Sequence, residues 1–275
     1  MNIKTIIFAT MLLATSLMAE VKEKWKINVG SMFVTQFETE LKWSRKRVVN
    51  GENTLIGKTI NTKDQLGLES ESSVLRFDGY YRFNKEHKIE FSYFGVNSNS
   101  NKITDTSIEL DGNTITAGVS LQTYYNMKVY KLNYAYSFYH TDKVELALLV
   151  GLHVTQLEIG YNIKGQINSS EIARAKGGTD ITAPLPVVGF EGQYSIIPKV
   201  LFINYQANYF YLDFGDYAGA ITSSTLKMEY RFWEHLGIGA GYNINNIAVR
   251  KEDSHKTLDI DNRLSGAILY LSYTY

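Results

Sequence analysis

Beyond residue 20, hydrophobic positions recur every second residue, the spacing of a strand with one apolar and one polar face. Over 74–83, Val74, Arg76, Asp78, Tyr80 and Arg82 share one face, and Leu75, Phe77, Gly79, Tyr81 and Phe83 share the other. A polar turn at 84–87 follows, and then Ile89, Phe91, Tyr93 and Gly95 alternate with Lys88, Glu90, Ser92 and Phe94. Two alternating runs joined by a short polar turn predict a β-hairpin. The unit recurs over 127–138 and 144–155 around His140, and over 185–195 and 200–213 around Pro198. It returns over 222–232 and 236–244 around Trp233. A first strand near 25–37 and a last at 263–275 bring the expected number to ten, within two either way.

Longer polar stretches separate the hairpins at roughly 38–71, 98–121, 161–183, 214–220 and 249–262. Short turns therefore alternate with long loops, and both termini fall on the short-turn side. The expectation is an all-β fold, an antiparallel up-and-down β-barrel. Period two alone does not distinguish a soluble barrel from a transmembrane one. Three features favour lipid, the third being the N-terminal leader described below. The polar face carries charges in mid-strand, and the apolar face carries Tyr and Phe near the tight turns, where half-wet rings suit a membrane interface. Composition agrees, with 20 Tyr, 13 Phe and 21 Gly against 3 Pro. Zero Cys removes disulfides, thiolate metal sites and a Cys nucleophile. A formal net charge of zero gives no sign of a nucleic-acid partner.

The N-terminus reads as a leader. Lys4 precedes a short apolar run over 5–18, and small Ala19 precedes polar Glu20 and Lys22. Such a run is too short for a stable spanning helix and fits a signal peptide over 1–19, cleaved after Ala19, with the barrel domain at 20–275.

The last strand sets Ala267, Leu269, Leu271, Tyr273 and Tyr275 on one face and ends in an aromatic. That pattern resembles the C-terminal assembly signal of small Gram-negative outer-membrane β-barrel proteins, without matching one particular member. The resemblance implies location in the outer membrane. It also implies contact with outer-membrane lipids and lipopolysaccharide, and recognition of Leu269, Leu271, Tyr273 and Tyr275 by the barrel-assembly machinery during biogenesis.

By the same parity Arg76, Arg82, Lys88, Lys131, Lys227 and Arg231 face the lumen with Asp78, Glu90, Glu145, Glu191 and Glu229. Mixed signs at such density favour an interlocked network over a selective polar conduit. His153, Thr155 and Glu145 share one strand face, and a histidine, a hydroxyl and a carboxylate can in principle form a hydrolytic triad. Some barrel lipid A deacylases use His, Ser and Glu, but Thr155 stands where Ser is expected. Asp105, Asp111, Asp253, His255, Asp259 and Asp261 are candidate rim acids and bases of a surface protease; solvated loop charge explains them equally well. His87, His140 and His235 read as turn residues, and no two His share a face as a metal site needs. The glycines Gly237, Gly239 and Gly241 lie in a strand with no helix behind them, so they read as room for close packing and not as a phosphate loop. No cofactor is expected. The leading expectation is a non-enzymatic barrel, structural or surface-interacting or a narrow channel for small solutes. The alternative is an outer-membrane hydrolase acting on lipid A or surface peptides.

Overall fold

The computed structural model describes residues 23–49, 52–61, 63, 68, 73–104, 108–110, 113–115, 117–167, 170–252 and 256–275. The leader expected over 1–19 lies outside them. Ten long strands follow in order: β1 (Trp25–Val49), β2 (Ser73–Arg82), β3 (His87–Ile103), β4 (Ser120–His140) and β5 (Val144–Ile167). The second half is β6 (Ser170–Ile197), β7 (Leu201–Phe214), β8 (Tyr217–Arg231), β9 (Leu236–Glu252) and β10 (Lys256–Thr274). Each pairs antiparallel with the next, and β1 pairs with β10 from Lys26↔Thr274 to Arg45↔Lys256. The result is the closed ten-strand antiparallel barrel that the alternation predicts. Three short strands ride on the loops: 52–61 doubles back along β1, and 108–110 with 113–115 form a small hairpin.

The β1–β10 ladder that closes the barrel ends in a pair of hydrogen bonds at Trp25 and Tyr275. The Trp25 N–H donates to the Tyr275 carbonyl at 2.7 Å, and the Tyr275 N–H donates to the Trp25 carbonyl at 2.9 Å. This pair leaves the seam between first and last strands without a free edge, the condition a sheet must meet inside hydrocarbon.

Strand length departs from expectation. Most of 98–121, 161–183, 214–220 and 249–262, expected as loops, is strand. β5 and β6 stay paired from Val144↔Tyr194 out to Ile167↔Ser170. The β7–β8 connection shrinks to Gly215 and Asp216, with Gly215 supplying φ 60 for the tight turn. Spanning a bilayer takes only ~9–11 residues per tilted strand, so about half of β5 stands beyond it.

The reason these extensions looked like loops is a reversal of polarity. On β4 the outer face is apolar from Phe138 through Tyr136, Tyr134 and Leu132 to Tyr130, then polar at Lys128 and Asn126. The inner face does the opposite: Ser137, Asn133 and Lys131 give way to buried Val129, Met127, Tyr125 and Leu121. β5 reverses at the matching height, Val154 giving way to Gln156 and Glu158 outside, and Thr155 to Leu157, Ile159 and Ile163 inside. β9 changes likewise, from Ile244 to Asn246 outside and from Asn245 to Ile247 inside. Below the reversal the barrel is wrapped in oil; above it, in water.

The outer belt on β5 runs from Leu146 to Val154. Eight residue steps of ~3.3 Å at a tilt of about 40° give roughly 20 Å along the barrel axis, near the ~25 Å apolar band of a membrane barrel. Leu132, Leu148 and Val150 are each 56% exposed, a degree of apolar exposure that a water-soluble wall does not sustain all round. Aromatic side chains ring the tight-turn end, among them Trp25, Tyr136, Phe138, Tyr194, Tyr230, Trp233 and Tyr275.

β6 is also asymmetric. Its ladder to β5 is continuous, but its ladder to β7 ends at Val188↔Tyr209, immediately before Pro186 and Pro184. Proline has no N–H to donate, so these two residues suit a strand that has a partner on one side only.

Deleting Tyr275 removes both closing hydrogen bonds. The expected outcome is a lower fraction of heat-modifiable, folded barrel on semi-native gels; wild-type levels of folded protein would contradict this account of closure.

Candidate functional site

The interior is built in two layers. The layer nearer the tight turns is charged and bonds one wall of the barrel to the other. Its centre is Lys88 on β3, only 2% exposed, whose Nζ lies 2.8 Å from Glu191 Oε1, 3.1 Å from Glu90 Oε1 and 3.4 Å from Glu145 Oε1. Arg82 Nη2 donates to both oxygens of Glu145 at 2.8 Å, and Ser137 Oγ donates to the same carboxylate at 2.5 Å. From the facing wall Gln206 Nε2 donates to Glu90 Oε2 at 2.6 Å, and Asn204 Nδ2 to Glu191 Oε1 at 2.9 Å.

A second knot forms around Asp78 on β2. It accepts from Arg76 Nε at 2.9 Å, from Asn28 Nδ2 at 2.7 Å and, across the barrel, from Lys227 Nζ on β8 at 2.5 Å. A third joins Lys26 Nζ to Glu229 Oε2 at 2.6 Å, Arg231 Nε to Glu229 Oε1 at 3.2 Å, and Arg231 Nη1 to Glu23 Oε1. Tyr270 closes this knot by donating its hydroxyl to Glu229 Oε2 at 3.2 Å. Its ring fits because residue 239 is glycine: a Cβ there would sit 2.2 Å from Tyr270 Cζ. Gly239 thus provides the close packing expected of the strand glycines.

Every residue of the expected lumen network faces inward, and most meet in these knots. Lys131 stands apart, hydrogen-bonded to Ser223 Oγ at 2.7 Å and Asn245 Oδ1 at 2.9 Å on the opposite wall. Sequence reasoning missed Glu23, Lys26, Asn28 and Tyr270. Lys26 and Asn28 were legible, since they alternate with Trp25, Ile27 and Val29. The ion pair of Glu23 with Arg231 spans 208 positions of sequence and has no local signal.

The second layer, above the polarity reversal, is apolar. Met32, Phe94, Val96, Leu121, Met127, Val129, Ile163 and Leu264 are buried in one cluster, and Leu68, from the connection after β1, is fully buried with them. Tyr125 crosses this layer from β4, its hydroxyl 3.2 Å from Thr39 Oγ1 on β1 and 2.9 Å from Asn262 Nδ2 on β10. Burial pushes the Tyr125 phenol above its ordinary range. A smaller apolar group, Val187, Ile221 and Ile247, fills the side next to β7.

The proposed catalytic set does not assemble. Glu145 is taken by Arg82, Lys88 and Ser137 at the tight-turn end, whereas His153 lies eight positions along the same strand, about 26 Å at ~3.3 Å per residue. His153 is 1% exposed, both ring nitrogens lack a protein partner, and Thr155 Oγ1 beside it lacks one too. A nucleophile needs a base within ~3 Å and a third group to orient that base; among the described residues His153 has neither. Of the rim candidates, Asp259 pairs with Arg250 at 2.5 Å and Asp261 with Arg263 at 3.6 Å. Asp105, Asp111, Asp253 and His255 lie outside the described residues. The remaining histidines serve the turns: His87 Nδ1 is 2.6 Å from the Tyr134 hydroxyl, His235 Nδ1 is 2.8 Å from the Thr274 carbonyl, and His140 Nδ1 is 3.5 Å from Glu145 Oε2.

Replacing Lys88 with Met leaves three carboxylates converging without their common cation. Breaking one side of a buried ion network costs about 3–5 kcal/mol. The expected result is a matching drop in unfolding free energy by urea titration of the refolded barrel, and a loss below 1 kcal/mol would contradict the central place given to Lys88.

No protein-family model matches this sequence, and no curated protein does. Solved structures do match in fold. The outer membrane protease OmpT from Escherichia coli aligns with a TM-score of 0.53 at 10% identity, covering 95% of this chain and 100% of that one. OprG from Pseudomonas aeruginosa aligns with a TM-score of 0.32 at 9% identity, over 92% and 97% of the two chains. Ail from Yersinia pestis aligns with a TM-score of 0.29 at 7% identity, over 90% and 99%. At such identities the likeness is one of architecture, and OmpT carries it. Together with the lipid-facing belt and the ten-strand closure, it gives this chain the fold of an outer-membrane β-barrel.

Proposed function

We propose that this barrel is closed and non-enzymatic, a structural or surface-interacting element of the outer membrane. The observation that carries the reading is the filled interior. Charged side chains meet across the lumen at hydrogen-bond distance, as Lys227 meets Asp78 at 2.5 Å and Gln206 meets Glu90 at 2.6 Å. An apolar layer lies above them. An ion moving through would have to break paired charges and then cross a dry constriction, two barriers in series. A narrow channel for small solutes needs both layers to move. In this reading the long-strand end, with its polar outer wall, is what the cell surface presents.

The same reading places outer-membrane lipids and lipopolysaccharide against the apolar belt. The barrel-assembly machinery is then the partner for Leu269, Leu271, Tyr273 and Tyr275, which are 49%, 60%, 46% and 68% exposed along the outer face beside the closing seam. Against the alternative, a hydrolase acting on lipid A or surface peptides, stand the commitment of Glu145 to Arg82 and the isolation of His153. At 10% identity the likeness to OmpT carries the fold alone.

Refolded protein inserted into planar bilayers is expected to give no stable single-channel steps at moderate voltage; regular steps would overturn the closed reading. In cells, His153→Ala is expected to leave the lipid A profile unchanged. A profile that changes with this substitution would restore the deacylase alternative.

A further inference from the structure

Charge in the lumen layer is unevenly divided. Around Lys88 three carboxylates meet two cations, Lys88 itself and Arg82. On the other side Arg76, Lys131 and Lys227 line one cavity of about 90 Å³ together with Lys26, Asp78, Glu90, Glu191 and Glu229; Lys88 already holds Glu90 and Glu191, Lys26 and Arg231 hold Glu229, and Arg76 and Lys227 share the carboxylate of Asp78. Lys131 has only neutral partners, Ser223 and Asn245, and among the described residues it has no carboxylate at ion-pair distance. Two acceptors leave one of its three ammonium protons unused. Arg76 spends its Nε on Asp78, while its Nη1 is buried and meets no protein acceptor. The two residues are 5% and 8% exposed, so bulk solvent does little to screen either charge.

Water alone can fill such a cavity and take up the free N–H groups. It does not supply the missing negative charge, and an uncompensated buried cation costs several kcal/mol. A small anion meets both needs at once. The size agrees, because a water occupies ~10–15 Å³ by the same measure, which leaves room for an ion and part of its hydration shell. Glu90, Glu191 and Glu229 line the same space and repel any anion near them, so only an ion small enough to lie against Arg76 and Lys131, away from these carboxylates, is accommodated. We propose that this cavity is a binding site for a small monovalent anion of the chloride type, held by Arg76 Nη1 and Lys131 Nζ.

Bromide is the probe, being close to chloride in size and visible by anomalous scattering. Crystals of the wild-type barrel grown in bromide without chloride are expected to show an anomalous peak in contact with Arg76 Nη1 and Lys131 Nζ. In solution, exchanging gluconate for chloride at constant ionic strength is expected to raise the temperature of the heat-modifiable transition, and Lys131→Met is expected to abolish that rise. An anomalous map empty at this cavity overturns the proposal, as does a chloride response as large in Lys131→Met as in the wild type. Bromide in the cavity of a protein whose stability ignores chloride marks an adventitious ion only, and overturns it too. Should Lys131→Met fail to fold, the wild-type diffraction and the wild-type chloride titration decide the matter without it.

Discussion

Hydrocarbon offers no hydrogen-bond partner to a peptide group, so a sheet crossing it must leave no edge unpaired. The pairing of β1 with β10, ended by Trp25 and Tyr275, meets that requirement here, and much else follows from it. Closing ten strands fixes a small diameter, and a small diameter brings side chains of opposite walls into contact. Lys131 reaches from β4 to β8 and β9, Lys227 from β8 to β2, and Tyr125 from β4 to β1 and β10. These bonds are consequences of circumference as much as of side-chain chemistry.

The two interior layers solve different problems. Within the membrane the outer face is apolar, so the lumen is where this sequence places its polar residues, and buried charge has to be paired at close range. Above the membrane the wall is bathed in water outside, and the interior can be apolar as in a soluble barrel. Both arrangements bring side chains of opposite walls together. The charged layer is the more demanding one, since many of its members take a partner from another strand, and losing one strands the others.

How much of this could be read in advance divides along the same boundary. The membrane part was legible: alternation placed Arg76, Asp78, Arg82, Glu145, Lys227 and Glu229 inward and Leu75, Leu132 and Leu271 outward, and the ten strands followed. The upper part was not, although Leu121, Tyr125, Met127 and Val129 keep the period. Their apolar face is the opposite one from that of Tyr130 and Leu132, so a search for one continuous apolar face stops at residue 129. Site chemistry was less legible still. A shared strand face put His153, Thr155 and Glu145 on one list, but parity says nothing of height, and about 26 Å separates the ends of that list. Contacts such as Arg231 with Glu23, or Lys131 with Asn245, join parts of the chain whose proximity around the ring no local pattern encodes.

The reversal of polarity along β4, β5 and β9 has a mechanical consequence. Sinking by one pair of residues would drag Lys128 and Gln156 into oil, and rising by the same step would lift Tyr130 and Val154 into water. Either displacement is opposed, weakly near the interface and more steeply with depth, up to ~2–4 kcal/mol for a basic side chain that reaches the midplane. Below that line the opposing terms come from the outer wall alone, since the lumen never meets lipid. The protein therefore carries its own waterline, marked residue by residue around the circumference, and floats at a depth set by its sequence.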